Sequence, residues 1–408
     1  MLSVQDAEKT ILNLIQPLQD TEIVDLLSAE NRILANPVIS NLDFPHWDNS
    51  AMDGYAVRYA DVKLASAENP VKLEVVAEIP AGCQPKITVK SGQAARIFTG
   101  AVMPEGADTV VMQEKTIKAE NQVLILAAPQ YQEFVRHQGS FYQAGNELLP
   151  AGIKLNAPEI AVLAAAQCHK IKVLRRPRVA IFSTGDELVK PEEILQPGQI
   201  VDSNQYALSA LIKQAGAELF RLGIVKDDPD ALREIISTAI SQADIVLSSG
   251  GVSVGEYDYV ENILTSLGAK IHFQTVQMRP GKPLTFATFG NQNQTLYFGL
   301  PGNPVSALVT FWRFVKPAID QLSGIKAGGK IEFLKTKTLY PLQANGKLET
   351  YIWGNLHLIN DVYHFQPVAG NLSSGNLINL AQTNALAVLP VGVTLISPQE
   401  EVLVLKIR

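Results

Sequence analysis

Between residues 178 and 325 the chain repeatedly switches period, and this alternation limits its folds more than any other feature. Short apolar runs at Arg178–Phe182, Glu218–Ile224 and Asp244–Leu247 alternate with helical spacing at Asn204–Gln214 and Pro229–Ser241. Further strands are expected at Ile271–Val276, Leu284–Thr288 and Thr295–Phe298, and a closing helix over Pro304–Leu322. Strands joined through helices pair in parallel, with helices on both faces, and ligands then bind at the carboxyl ends of the strands.

The loops at those ends carry the candidate chemistry. Ser248 to Tyr259 follows one strand and leads into a helical run. Gly250, Gly251 and Gly255 let the backbone turn and approach a ligand, Ser248, Ser249 and Ser253 add hydroxyls, and the helix start offers N–H groups to a phosphate. Glu256 and Asp258 then place carboxylates beside that phosphate, an arrangement that calls for a divalent cation. An ordinary strand-to-helix turn would read the same for a bare glycine-rich loop. Other loops share the edge: Ser183-Thr184-Gly185-Asp186-Glu187, Asp227-Asp228, Arg279-Pro280-Gly281-Lys282-Pro283, and Leu300-Pro301-Gly302-Asn303-Pro304, which opens a helix with unpaired N–H groups. The two basic groups and four carboxylates of these loops, beside Glu256 and Asp258, suit a metal that joins acidic side chains to a phosphorylated ligand.

At 408 residues the chain exceeds one core, and about three or four units are expected. Ser3–Gln16 reads as an amphipathic helix and Asp25–Leu34 as a second helical run. Asp43–Ala56 lacks periodicity but is dense in polar and aromatic residues, as functional loops tend to be. Alternating segments at Val71–Val76, Ala94–Phe98 and Thr109–Met112 indicate a small barrel-like β-domain, with Thr99 at a strand end. Asn156–Cys168 reads as helical and Ile171–Leu174 as extended. From residue 330 a second β-rich pattern runs through Ile352–Ile359, Val362–Gln366, Ala385–Leu389 and Glu401–Ile407, and its turn at Ser373–Asn376 could reach a ligand or be a plain turn. The expected division is 1–41 with 140–176 as an extension domain, 42–139 as the small β-domain, 177–325 as a three-layer α/β domain with a mostly parallel sheet, and 326–408 as a C-terminal β-domain.

Composition narrows the function classes. Hydrophobic residues make up 47% of the chain but form no run long enough to span a bilayer, and Met1–Asp6 lacks the plan of a signal peptide, so a cytoplasmic protein without a membrane role is expected. A net charge of −6 argues against a nucleic-acid surface. Cys83 and Cys168 stand alone, which suggests neither a disulfide framework nor a zinc site. The histidines at 46, 137, 169, 272, 357 and 364 fall in unrelated segments and are assigned no role.

Five motifs in order, Asp48–Ala56, Ser183–Leu188, Ser248–Gly255, Pro280–Pro283 and Leu300–Pro304, give the chain a resemblance to the molybdopterin molybdenumtransferase family, which includes the E domain of gephyrin. The resemblance spans essentially the whole chain. It implies a four-domain homodimer that uses magnesium to insert molybdate into adenylylated molybdopterin with loss of AMP. It also implies work alongside a molybdopterin adenylyltransferase and molybdenum-enzyme acceptors. Asp53, Thr99, Glu187, Asp227, Asp258 and Lys282 match active-site positions, with Glu187, Asp227 and Asp258 as the magnesium ligands. Substrate contacts are expected from Ser183, Thr184, Gly185, Ser249, Gly250, Gly251, Ser253 and Gly255. Arg279, Pro301, Gly302 and Asn303 are expected to add to them, and Arg136 and Ser374 match peripheral positions. The homodimer is expected to join the α/β domain of one copy to the Asp53 and Thr99 segments of the other.

Some positions depart from the family. Arg279 stands where lysine is common, which keeps the charge but replaces a point charge by a planar fork. Gln138-Gly139-Ser140 replaces an acidic stretch, Trp353 stands where arginine is frequent, and Asn379 replaces a common serine. The last two bear on anion contacts from the last domain. Phosphoanhydride cleavage needs charge neutralisation, which magnesium, Lys282 and Arg279 can supply without a Ser-His-Asp or Cys-His arrangement. The competing readings are a molybdopterin adenylyltransferase on the same core and a non-catalytic scaffold of the same family. A nicotinamide dehydrogenase is disfavoured because no GxGxxG follows the first α/β strand.

Overall fold

The computed structural model describes residues 1–250, 259–290, 294–325, 331–370 and 372–407. The chain divides into two compact units, one of Met1–Ala35, Gly152–Ile160 and Lys170–Arg408, the other of Asn36–Ala151 and Ala161–His169.

The first unit is built on a six-stranded sheet. Its order is Glu218–Val225, Arg178–Thr184, Ile245–Ser249, Thr295–Leu300, Pro283–Phe289, Lys270–Thr275. The first four strands pair in parallel, as the alternation predicts, while Pro283–Phe289 runs antiparallel to both neighbours. Alternate residues serve opposite layers because a strand has period 2. Val179, Ile181, Ile245, Leu247 and Phe298 join one core with Leu208 and Ile212 of the helix Asn204–Gln214. Ala180, Phe182, Val246 and Tyr297 join the other with Leu232, Ile236 and Ala239 of the helix Pro229–Gln242. That helix starts where its sequence says it should: Asp228 accepts hydrogen bonds from the N–H groups of Asp230 and Ala231, and Pro229 occupies the first turn. The expected closing helix is three pieces, Pro304–Thr310, a π-helical stretch Phe311–Val315, and Lys316–Leu322.

A barrel forms in the C-terminal region. Glu349–Ile359, Val362–Pro367, Phe333–Thr338, Glu401–Lys406 and Ala385–Leu389 pair in that order, and Ala385–Leu389 closes the ring on Glu349–Ile359. The short strand Met278–Arg279 of the α/β region adds in parallel to Glu349–Thr350.

The second unit holds a curled six-stranded sheet, in the order Thr109–Met112, Gly54–Val57, Gln93–Ile97, Val71–Ile79, Gln122–Ile125, Thr116–Ala119. Two local expectations are corrected. Asp25–Leu34 is not helical: Thr21–Asp25 is a strand, Leu26–Ala29 a 3-10 turn, and Asn31 takes φ 61°, while the Leu34 N–H donates to the Ile153 carbonyl at 3.0 Å. Tertiary ladders override the helical composition there. The aperiodic Asp43–Ala56 segment contains the strand Asn49–Ser50 and most of the fully buried strand Gly54–Val57. No helix among the described residues is long and apolar enough to cross a membrane.

Candidate active site

The carboxyl edge of the parallel strands gathers most of the expected groups of the first unit. The strand Arg178–Thr184 ends on two buried hydroxyls. Thr184 Oγ1 donates to Asp227 Oδ1, and the Asp227 N–H donates to Asp186 Oδ1 at 3.3 Å, so the loops after neighbouring strands are tied together. Ser183 Oγ is buried without a partner among the described residues. Gly250 ends the next strand at φ +90°, and a Cβ there would meet the Thr184 carbonyl oxygen at 2.2 Å, so no other residue lets the turn lie so close. Beside it, Ser249 Oγ accepts from Asn204 Nδ2 at 2.7 Å, and the same nitrogen donates to the Gly302 carbonyl at 2.8 Å. A cavity of about 690 Å³ is bounded here by Thr184, Glu187, Asn204, Ser249, Gly250, Pro301, Gly302 and Asn303. Among the described residues, Ser183 and Gly185 line neither this cavity nor the next, and Asp227 is joined to the wall through Thr184.

The antiparallel strand supplies what parallel strands alone would not. Because Pro283–Phe289 runs backwards, its start lies at the same edge, and it brings the turn Arg279–Lys282 with it. Gly281, at φ +101°, makes this turn; a Cβ would sit 2.6 Å from Thr310 Cγ2. Arg279 and Lys282 are exposed and neither has an ion-pair partner among the described residues. They border a second cavity of about 570 Å³ with Ser374, Tyr351 and Trp353, and the two cavities share Pro283, Asn303 and Ser306. Trp353 is 1% exposed, and its Nε1 has no hydrogen-bond partner among the described residues. Asn379 Nδ2 donates to the Ala369 carbonyl at 3.5 Å.

Three expectations at this edge are corrected. Asp228 is a helix cap, its carboxylate already accepting two backbone N–H groups. The Ser248 hydroxyl points into the core, 2.6 Å from the Tyr297 hydroxyl, because adjacent strand residues face opposite layers. The helix at Pro304 does not open with a full set of free donors, since proline has none and the Val305 N–H donates to the Ser374 carbonyl at 3.1 Å. Gly251, Ser253, Gly255, Glu256 and Asp258 lie outside the described residues. Asn204, which bridges two of the loops, went unnoticed in the sequence. The signal was an asparagine at the first position of a helix whose first buried apolar residue is Leu208.

In the second unit, Asp53 and Thr99 come together. Asp53 Oδ1 accepts from the Thr99 N–H and the Thr99 hydroxyl, both at 2.7 Å. The backbone donor first, then the hydroxyl, hold the Asp53 carboxyl below the usual carboxylate range. Arg136 is exposed on a separate two-residue ladder, opposite Asn49.

As a metal site, the described residues offer suitable chemistry without a complete set. Glu187 and Asp227 are oxygen donors of the kind a hard dication takes. Thr184 occupies Asp227 Oδ1, and Oδ2 has no hydrogen-bond partner among the described residues. No group of three or more His, Cys, Asp or Glu side chains that could hold a metal occurs among the described residues.

Three family models match the chain: the MoeA N-terminal region (domain I and II) over residues 2–166, a probable molybdopterin binding domain over 180–321, and the MoeA C-terminal region (domain IV) over 335–407. A molybdopterin molybdenumtransferase from Nostoc is 64% identical over 100% of this chain and 94% of its own length. One from Haemophilus influenzae is 33% identical over 95% of this chain and 100% of its own. The crystal structure of the molybdopterin biosynthesis moeA protein from Pyrococcus horikoshii OT3 superposes with a TM-score of 0.84 at 27% identity, covering 100% of both chains. The chain therefore belongs to the molybdopterin molybdenumtransferases, a transferase family of molybdenum cofactor biosynthesis.

Proposed function

We propose that this enzyme inserts molybdate into adenylylated molybdopterin, cleaving the phosphoanhydride so that AMP leaves as the molybdenum cofactor forms. The observation that carries this reading is the pair of adjoining cavities at one sheet edge, the first walled by hydroxyls, glycine backbone and a carboxylate, the second by two cations that have no ion-pair partner among the described residues. A ligand with a phosphate at one end and an oxyanion at the other would find a matching group at each.

Glu187, Asp227 and Asp258 hold magnesium, which when bound supplies positive charge against the phosphates. Thr184 fixes the Asp227 carboxylate through its hydroxyl, and Gly250 lets the phosphate approach the backbone. Ser249, Pro301, Gly302 and Asn303 contact the substrate from the cavity wall, while Arg279 and Lys282 neutralise the oxyanion with Ser374 at the rim. We further propose a cytoplasmic homodimer in which Asp53 and Thr99 of one copy serve the cleft of the other, Arg136 lies at the periphery, and the chain is organised as 1–41 with 140–176, 42–139, 177–325 and 326–408.

The test is reconstitution of the purified chain with adenylylated molybdopterin, molybdate and magnesium. AMP and cofactor should appear together in equal amounts. Cofactor formed without AMP, or no AMP with substrate bound, would overturn the reading, and the second outcome would fit a scaffold.

A further inference from the structure

The helix that starts after Asn303 carries a buried arginine that the proposed reaction leaves without a task. Arg313 lies in the π-helical stretch Phe311–Val315, and its side chain is only 4% exposed. A π turn is an unfavourable departure from the α-helix, and such turns recur near functional sites. A charge at this depth is costly unless it is paired and hydrogen-bonded.

Its partners come from two other elements. Arg313 Nη2 donates to Glu8 Oε2 at 2.8 Å, on the helix Val4–Asn13, and Arg313 Nε donates to the Tyr351 hydroxyl at 3.0 Å, on the barrel strand Glu349–Ile359. The Tyr351 hydroxyl in turn donates to Glu349 Oε1 at 2.5 Å. Burial keeps this phenol protonated, so it can accept from the guanidinium and donate to the carboxylate at once. Two residues of the same strand, Glu349 and Thr350, pair with Met278 and Arg279, and the Glu349 N–H donates to the Gln277 carbonyl at 3.1 Å. Thr350, Tyr351 and Trp353 line the cavity that holds Arg279 and Lys282. Helix, π turn, barrel strand and cationic turn are thus joined by consecutive hydrogen bonds.

We propose that Arg313 is a positioning residue which, through the Tyr351 hydroxyl, sets the barrel strand and so the placement of Arg279 against a tetrahedral oxyanion. This rests on the reading above that Arg279 and Lys282 hold the oxyanion. Glu8 anchors the guanidinium through Nη2, and a glutamine at that position keeps an oxygen acceptor for the same donor.

The experiment measures calorimetric binding of molybdate alone to the full chain, the KM and kcat of AMP release, and the thermal midpoint. Tyr351→Phe keeps the ring and the Arg313–Glu8 pair but removes the hydroxyl's bonds to both Arg313 and Glu349; it should weaken molybdate binding by about three- to tenfold and raise KM alike, with kcat within about twofold, and Arg313→Lys, which loses the Nε donor but leaves the Tyr351–Glu349 bond, should show the same loss. Glu8→Gln should lower the thermal midpoint while leaving molybdate affinity near that of the wild type. Affinity that falls in step with the thermal midpoint across these variants would make the network merely structural and overturn the proposal. So would wild-type affinity in Tyr351→Phe when Lys282→Ala has lost binding. Wild-type affinity in Lys282→Ala would overturn the oxyanion reading, and the proposal with it.

Discussion

Asp53 shows how a single side chain is prepared. Two donors from Thr99 on one carboxylate oxygen stabilise the charged form, so the folded-state pKa lies below the unfolded one. A depressed carboxyl contributes its full stability above the unfolded value of about 3.9 and loses it as pH falls through the folded value. The gap in thermal midpoint between wild type and Asp53→Asn should therefore hold steady from about pH 7 to about pH 5 and narrow below about pH 4; a gap that widens on acidification would contradict the hydrogen-bond assignment. At the cationic turn, Lys282→Ala should raise KM for the adenylylated substrate about tenfold or more, the cost of one charge-assisted contact, whereas Arg279→Lys keeps a charge and should change it by less than about threefold. Steady-state kinetics showing the opposite order would remove Lys282 from the site. Legibility at this scale followed strand period. Ser248 and Ser249 look alike in sequence, yet one hydroxyl meets Tyr297 in the core and the other meets Asn204 at the cavity. Arg313 was not legible at all, because burial of a charge depends on partners contributed by Glu8 and Tyr351, far away in sequence.

Among elements, the turns at the sheet edge leave little room for a side chain. Gly250→Ala should cost about 1–3 kcal/mol for a side chain forced to positive φ, and more if the Thr184 carbonyl, 2.2 Å from the added Cβ, cannot withdraw. Displacing Thr184 also disturbs its bond to Asp227, so magnesium-dependent AMP release should fall more than the thermal midpoint suggests; full activity in a destabilised variant would show that the Thr184–Asp227 contact is dispensable. The α/β strands and the helices at Asn204–Gln214 and Pro229–Gln242 were readable because length, β-branching and period agree, with the Asp228 cap added at the second helix. Gly54–Val57 was not, since a four-residue central strand buried on both faces has no alternation to display. The reversed direction of Pro283–Phe289 was also hidden, because an apolar run carries no sign of which way it points.

For the whole molecule, the dimer proposal has a direct test in mixed inactive variants. When Asp53→Ala and Asp258→Ala exchange subunits, a cleft built from two copies leaves each heterodimer with one intact and one doubly damaged site. Part of the activity should then return, up to about a quarter of wild type if exchange is random and half of the dimers, with one working site each, are mixed. Activity that stays at the level of the separate variants, after mass spectrometry has shown exchange, would place each site within one chain. The route of the chain also sets a timetable. Arg279 is held in register by Thr350, and the strand bearing Thr350 completes its ring only with Ala385–Leu389 and Glu401–Lys406. At roughly 5–20 residues per second of synthesis, the cationic turn waits several seconds on the ribosome for its neighbour. A chain cut short before Glu401 would keep all six strands of the α/β sheet but lack the last strand of the ring that carries Thr350, so the register partner of Arg279 would have no closed barrel behind it.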